Sequence, residues 1–448
     1  MRFRYYKMNM LALIAIVTMG LLTSTSLQAQ EVYDLQHCLQ IGLEQNYNIR
    51  IIRNEQQIAD NNATIGNAGY LPTVDLSAGY SGTINDVEQE PFSGGTINYN
   101  GVHNTNTNAG INLGWMLFDG FKIQANHSKL KELQKIGELN TRLSIEDFIA
   151  QLTAEYYNHV QQNIRLKNLE AAVKLSRERL RISEARYNIG SMSRLDLQQA
   201  MVDFNADSSR LIKQYELLHT SRITLNELMA LEDVEQKICI KDSTIVPNPL
   251  LEEKILWEKT LSSNSNLLLS EKSKTLSQLD YKIVKSRNYP YLKLNAGYGY
   301  TLQDYETGAY KRQQTMGFNY GVTLGFTIFD GMNRKREQKN ARLMITNREL
   351  MHGQLELGLK SDLSNIWNAY RNNLKLLNLE RQNLLTARDN YEIAIERYKL
   401  GDLAGIELRE AQNSLLEAEE RLLAAEYNTK ICEISLMQIS GQATAYLI

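Results

Sequence analysis

The sequence predicts an internally duplicated α+β membrane protein with four membrane-spanning β-strands and long antiparallel coiled-coil helices in each chain. Three observations carry this. One block of sequence occurs twice at a fixed spacing. Each copy holds two segments that alternate apolar and polar residues. Each pair of segments then runs into roughly 70 residues without proline, enough for a rod on the order of 100 Å.

The duplication is read directly. Leu113-Gly114-Trp115-Met116-Leu117-Phe118-Asp119-Gly120 returns as Leu324-Gly325-Phe326-Thr327-Ile328-Phe329-Asp330-Gly331, 211 residues later. Arg186-Tyr187-Asn188-Ile189-Gly190 returns as Arg397-Tyr398-Lys399-Leu400-Gly401 at the same spacing. Upstream the spacing is 218, matching Asn46 to Asn264, Pro72 to Pro290, and Ala78-Gly79-Tyr80 to Ala296-Gly297-Tyr298. The seven extra residues of the first copy must lie between Tyr80 and Asn112, in a stretch rich in Asn, Gly, Thr and Ser that reads as a loop. The domain reading is a first repeat over 30–240, a linker at 241–250 around Pro247-Asn248-Pro249, and a second repeat over 251–448.

Hairpins are expected over 72–119 and 290–330. Val74, Leu76, Ala78 and Tyr80 alternate with polar or small residues, as do Ile111, Leu113, Trp115 and Leu117. Leu292 to Tyr300 and Tyr320 to Ile328 repeat the pattern. Runs of about ten residues with period two suit strands that cross a bilayer, with Tyr80, Trp115, Tyr298, Tyr300, Tyr320 and Phe326 as an interfacial aromatic belt. Four strands cannot close a barrel, since the smallest have about eight, and an open edge in lipid leaves backbone groups unsatisfied. The strands of several copies must therefore be pooled.

Helices are expected from Phe121 to Ile189 and from Met332 to Leu400. Their residues are strong helix formers, and Ala411, Leu415, Ala418, Leu422 and Ala425 recur at coiled-coil spacing. Pro72 and Pro290 mark the change from helix to strand, because the residue before proline is pushed out of the α region. Asp119-Gly120 and Asp330-Gly331 mark the change back, with turn chemistry between strand and helix.

The N-terminus reads as an export signal over residues 1–29: Arg2, Arg4 and Lys7, an apolar run from Met8 to Leu22, then Leu27-Gln28-Ala29. Downstream, no apolar run reaches the length of a membrane helix. A net charge of −2 argues against a nucleic-acid partner. Cys38, Cys239 and Cys432 are sparse and odd in number, which argues against a disulfide framework and suggests small buried hydrophobes. No catalytic constellation, metal-ligand spacing or phosphate-binding loop is found, so no cofactor is expected and energy must come from a partner.

The duplicated order of elements, the two Phe-Asp-Gly junctions and the two Arg-Tyr-x-x-Gly turns resemble the TolC-like outer-membrane efflux family over essentially the whole mature chain. The resemblance implies a homotrimer in outer-membrane lipid, with a 12-stranded barrel and a periplasmic helical tunnel. It implies as partners a periplasmic membrane-fusion adaptor and, indirectly, an inner-membrane transporter. By the same resemblance, Arg186, Tyr187, Gly190, Arg397, Tyr398 and Gly401 at the helix-to-helix turns contact the adaptor, or else only build the turn. Glu407 and Glu410 match acidic positions that ring a closed entrance in family members, with Asp196 as the repeat-equivalent of Glu407. Otherwise they are a solvated helix face. A basic residue that braces that gate in relatives aligns with Leu403, which puts a salt-bridge latch there in doubt. Export of small molecules is the leading function, with protein secretion by a type I system or a non-transporting coiled-coil scaffold as alternatives.

Overall fold

A computed structural model describes residues 32–447; the expected export signal lies outside them. The first half contains β1 (Val32–Tyr33), α1 (Leu35–Gln45), α2 (Tyr47–Asn62), the short α3 (Ile65–Ala68), β2 (Thr73–Gln89), β3 (Ile97–Phe118), α4 (Lys122–Asn188) and α5 (Arg194–Leu228). After β4 (Cys239–Ile240) the order returns: α6 (Glu253–Ser263), α7 (Ser265–Ser286), β5 (Tyr291–Asp304), β6 (Arg312–Gly325), α8 (Asn333–Leu400) and α9 (Gly405–Ile439). The long helices α4 and α8 have 67 and 68 residues, and α5 and α9 have 35 each. No described helix is long and apolar enough to cross a membrane.

The four long strands form one antiparallel sheet in the order β2-β3-β5-β6. Its register sorts side chains by face. Val74, Leu113, Ala296 and Tyr320 stand in one row, and Leu76, Ile111, Tyr298 and Phe318 in the next. The intervening row on the other face is Asp75, Asn112, Gly297 and Asn319. Since a one-residue slip would move every side chain to the opposite face, the apolar pattern fixes this register. The apolar face is the one suited to lipid, and the Asn- and Gly-rich face to water.

Two strand expectations need correction. The polar stretch between Tyr80 and Asn112 is mostly strand, not loop: β2 runs to Gln89, β3 starts at Ile97, and only 90–96 joins them. Thr and Asn side chains there alternate across a ladder that closes Asn104 on Thr83 and Val102 on Asn85, so backbone pairing overrides the loop-like composition. Conversely, β6 ends at Gly325 although the alternation continues to Ile328. Its neighbour β5 begins at Tyr291 opposite Gly325, so no strand lies beside 326–328.

Below the sheet the helices form an open arc. Its upper tier packs α2 on α4, α4 on α7, and α7 on α8; its lower tier packs α5 on α4, α4 on α9, and α9 on α8. The seam residues Ala411, Leu415, Ala418 and Ala425 are buried as expected, while Leu423 rather than Leu422 takes the intervening inward place. The two halves also repeat one capping device where the tiers meet. Asn46 accepts from the backbone N–H groups of Asn48 and Ile49 while its amide donates to the Leu228 carbonyl at 3.0 Å. Asn264 accepts from Leu267 and donates to the Ile439 carbonyl at 2.8 Å. Each asparagine thus starts one helix and satisfies the end of another.

The main apolar core lies at this level, where Leu39, Ile149, Leu152, Tyr156, Leu225 and Met229 are fully enclosed. The linker is strapped across it. Tyr156 donates to Asp242 at 2.9 Å, Ile245 is buried, and the Asn248 N–H donates to the buried Glu433 at 2.7 Å. Lys430 pairs with Glu433 at 2.7 Å and lies against the rings of Tyr157 and Tyr446. Of the cysteines, Cys38 is buried, with desolvation pushing its thiol up to about 12. Cys432 is half-buried. Cys239 is exposed, against expectation, because it sits on the two-residue β4, which among the described residues pairs with β1 alone.

Candidate functional site

The features with functional potential lie at the two ends of the long helices. At the sheet end, Pro72 and Pro290 directly precede β2 and β5. Asp119 accepts from the Ile123 N–H at 3.1 Å, and Asp330 from the Arg334 N–H at 3.0 Å, so both aspartates cap the long helices. Gly120 and Gly331 have φ of +71° and +67°, and the residues that follow, Phe121 and Met332, are also left-handed at +70° and +64°. A Cβ on Gly120 would stand 2.2 Å from the Ser286 carbonyl oxygen, so no other residue fits that corner.

At the far end, both turns end their helix in one way. Gly190 (φ +78°) donates to the Tyr187 carbonyl and Ser191 to that of Arg186; Gly401 (φ +90°) donates to Tyr398 and Asp402 to Arg397. This doubled backbone bond pattern on a left-handed residue explains the glycine that closes both turns. On either side of the turn glycines, equivalent apolar residues of both halves are exposed: Ile189 with Leu400 before them, and Leu195 with Ile406 after them.

The equivalent arginines and tyrosines have different surroundings. Tyr398 is 1% exposed, and the Arg186 guanidinium lies 4.8 Å over its ring while donating to its carbonyl at 2.6 Å. Tyr187 is 40% exposed, and Arg397 bonds Asp402 within its own turn at 3.0 Å. Leu403 packs against the apolar cluster of Tyr398, Leu408 and Ala411.

Asp196 and Glu407 occupy equivalent places in the first turns of α5 and α9. Asp196 accepts from the Ser193 hydroxyl at 2.7 Å, and Glu407 from the Ala404 N–H at 3.4 Å. Glu410 is exposed one turn further along α9. Asp196 also lines a cleft of about 350 Å³ between the two turns, with Arg179, Asp203, Tyr398 and Arg409.

That cleft borders an ionic cluster that sequence reasoning missed. Arg409 of α9 grips the buried Asp207 of α5 with both Nη atoms, at 2.6 and 2.8 Å. Ser176 also donates to Asp207, and Gln412 donates to Ser176 at 3.0 Å. Arg179 pairs with Asp203, which Gln199 also contacts at 3.0 Å. Burial pushes the Asp207 carboxyl up, but the Arg409 fork, Ser176 and Arg210 outweigh it and hold it below its ordinary value. The available signal was the spacing: Asp203 and Asp207 are four apart on one face of α5, and Arg409 lies between the seam residues Leu408 and Ala411. Among the described residues, no group of three or more His, Cys, Asp or Glu is placed to hold a metal.

A strand sheet with one lipid-suited face, set on an arc of helices about 100 Å long, defines a channel protein of the outer membrane with a long helical extension. The Outer membrane efflux protein family matches residues 38–231 and 256–442, and the chain belongs to that family. It is 20% identical over 383 residues to the outer membrane protein TolC of Vibrio cholerae, covering 84% of each chain. It is 21% identical over 407 residues to the outer membrane efflux protein BepC of Brucella suis, covering 87% of this chain and 81% of that one. The CmeC outer membrane channel of Campylobacter jejuni shares the fold at a TM-score of 0.78 and 16% identity, over 91% of this chain and 86% of that one.

Proposed function

We propose that three copies of this chain form the passive exit duct of a tripartite pump, joined by a periplasmic adaptor to an inner-membrane transporter that supplies the energy. The observation that carries this reading is the open arc. β2 and β6 are sheet edges, and α2, α5 and α8 are helix edges on the same two sides. Open strand edges in lipid are untenable, so copies must join side to side. Two copies would close eight strands, whose interior side chains fill; three give twelve strands and a lumen. Light scattering in detergent should give three copies, and planar bilayers should show discrete conductance. A stable monomer without conductance would sink the proposal.

The adaptor surface is the pair of turns. Ile189, Gly190, Leu400 and Gly401, with Leu195 and Ile406 behind them, present an apolar rim, while Arg186 and Tyr398 brace the turns from within. Ile189→Asp with Leu400→Asp should abolish co-purification of the adaptor while leaving bilayer conductance intact. Loss of conductance instead would assign these residues to the duct itself.

Glu407 and Glu410, with Asp196 as the repeat-equivalent of Glu407, are proposed as a ring of carboxylates at the entrance, since threefold repetition brings them around one axis. Such a ring favours cations. Glu407→Ala with Glu410→Ala should reduce cation selectivity and block by polyvalent cations; unchanged block would refute the assignment. With Leu403 in the apolar cluster, no latch is assigned there. Small-molecule efflux and type I protein secretion differ in the strain lacking this chain: drug sensitivity supports the first, missing secreted proteins the second.

A further inference from the structure

Positive charge gathers at the corners where strands become helices. Segments 119–129, 279–289 and 330–340 hold nine Lys and Arg against four Asp and Glu, in a chain whose net charge is −2. We propose that the cleft between the start of α4 and the end of α7 binds the headgroup of an anionic phospholipid from the periplasmic leaflet of the outer membrane. The proposal depends on the outer-membrane placement of the sheet and not on the number of copies.

The cleft measures about 280 Å³. Gly120 and Ser286 close one end of it, Phe121 and Tyr289 line it with rings, and Lys282 and Lys285 stand on its α7 side. The two lysines are three apart, so they share one helical face, and both are exposed. Among the described residues neither has a carboxylate partner, whereas the neighbouring Lys129 is paired with Asp280 at 2.6 Å and Arg287 with Glu337.

The apolar face of the sheet runs into this cleft. Phe118 stands opposite Leu292, which in turn faces Leu324 on the lipid-suited side. Phe121 packs edge-on against Phe118 at 5.2 Å and against Tyr289 at 6.0 Å. Trp115, on the same face opposite Leu294, donates its indole N–H to the Tyr70 carbonyl at 2.9 Å. Tryptophan and tyrosine at this height mark the level of the headgroups. Acyl chains can thus lie along Phe118 and the strands while the phosphate reaches the two ammonium groups, as basic pockets between helices receive anionic lipids. A zwitterionic headgroup would bring a third ammonium to the same place, so the anionic class is preferred.

The test uses full-length protein in an uncharged detergent, titrated with phosphatidylglycerol or with phosphatidylcholine of the same acyl chains, and read by native mass spectrometry as lipid bound per chain. Phosphatidylglycerol should bind in preference. Lys282→Gln with Lys285→Gln should weaken it roughly 30-fold. Lys282→Arg with Lys285→Arg should keep it, as should an equal loss of charge on α6, Lys254→Gln with Lys259→Gln. A p-benzoylphenylalanine replacing Gln124, which also lines the cleft, should link to phosphatidylglycerol in mixed vesicles of the two lipids. Equal binding of the two lipids, preference retained in the Gln pair or lost in the Arg pair, or displacement by inorganic phosphate alone would overturn the inference. None of these outcomes touches the mass or conductance of the assembly, on which the duct reading stands or falls.

Discussion

Arg409 and Asp207 show what single residues contribute here. The pair ties the last helix of the second half to α5 of the first, and Asp207 is 1% exposed. Removing the arginine strands a buried charge, so Arg409→Ala should destabilise by about 3–5 kcal/mol. Adding Asp207→Ala should restore part of that loss; denaturant melts read both. His159 gives a pH signature. It is buried, its Nδ1 bonds the Ser221 hydroxyl at 2.8 Å, and desolvation together with Arg222 lowers its pKa from 6.5 to about 4. Between those values the unfolded chain takes a proton that the folded chain refuses. Its contribution is therefore present at neutral pH and lost as pH falls from 6.5 towards 4, by about 3 kcal/mol in total. In His159→Gln the melting temperature should fall less steeply over that window; an unchanged slope would clear His159 of the effect.

At the scale of elements, the register makes a sharp prediction. Leu113 and Asn112 are neighbours in β3 on opposite faces of the sheet. Leu113→Arg puts a charge on the apolar face, where the cost near the middle of a membrane strand is about 2–4 kcal/mol, and should reduce recovery of the chain from outer membranes. Asn112→Arg should be tolerated; equal loss in both would contradict the facing. The elements were also where sequence was most readable. The ends of α4 and α8 fall within a residue of those expected, because Gly190, Gly401 and the two Asp-Gly corners are local signals. What escaped was non-local. Thr- and Asn-rich strands look like loops until a ladder is seen, and the end of β6 depends on a neighbour that the sequence does not name. The Arg409–Asp207 bond joins residues 202 apart, a pairing no local pattern announces.

The whole molecule is held to one length. Its long helices match at 67 and 68 residues, and its return helices at 35 and 35, with tips and corners fixed by glycine at both ends. Reach across the periplasm can therefore change only in quanta. One added heptad extends a helix by about 10 Å, but in α4 alone it would throw the tip turn out of line with its twin. The same seven residues must enter α4, α5, α8 and α9 together. An envelope of different depth thus selects for paired insertions, written twice in one gene, and a single unmatched one is a lesion.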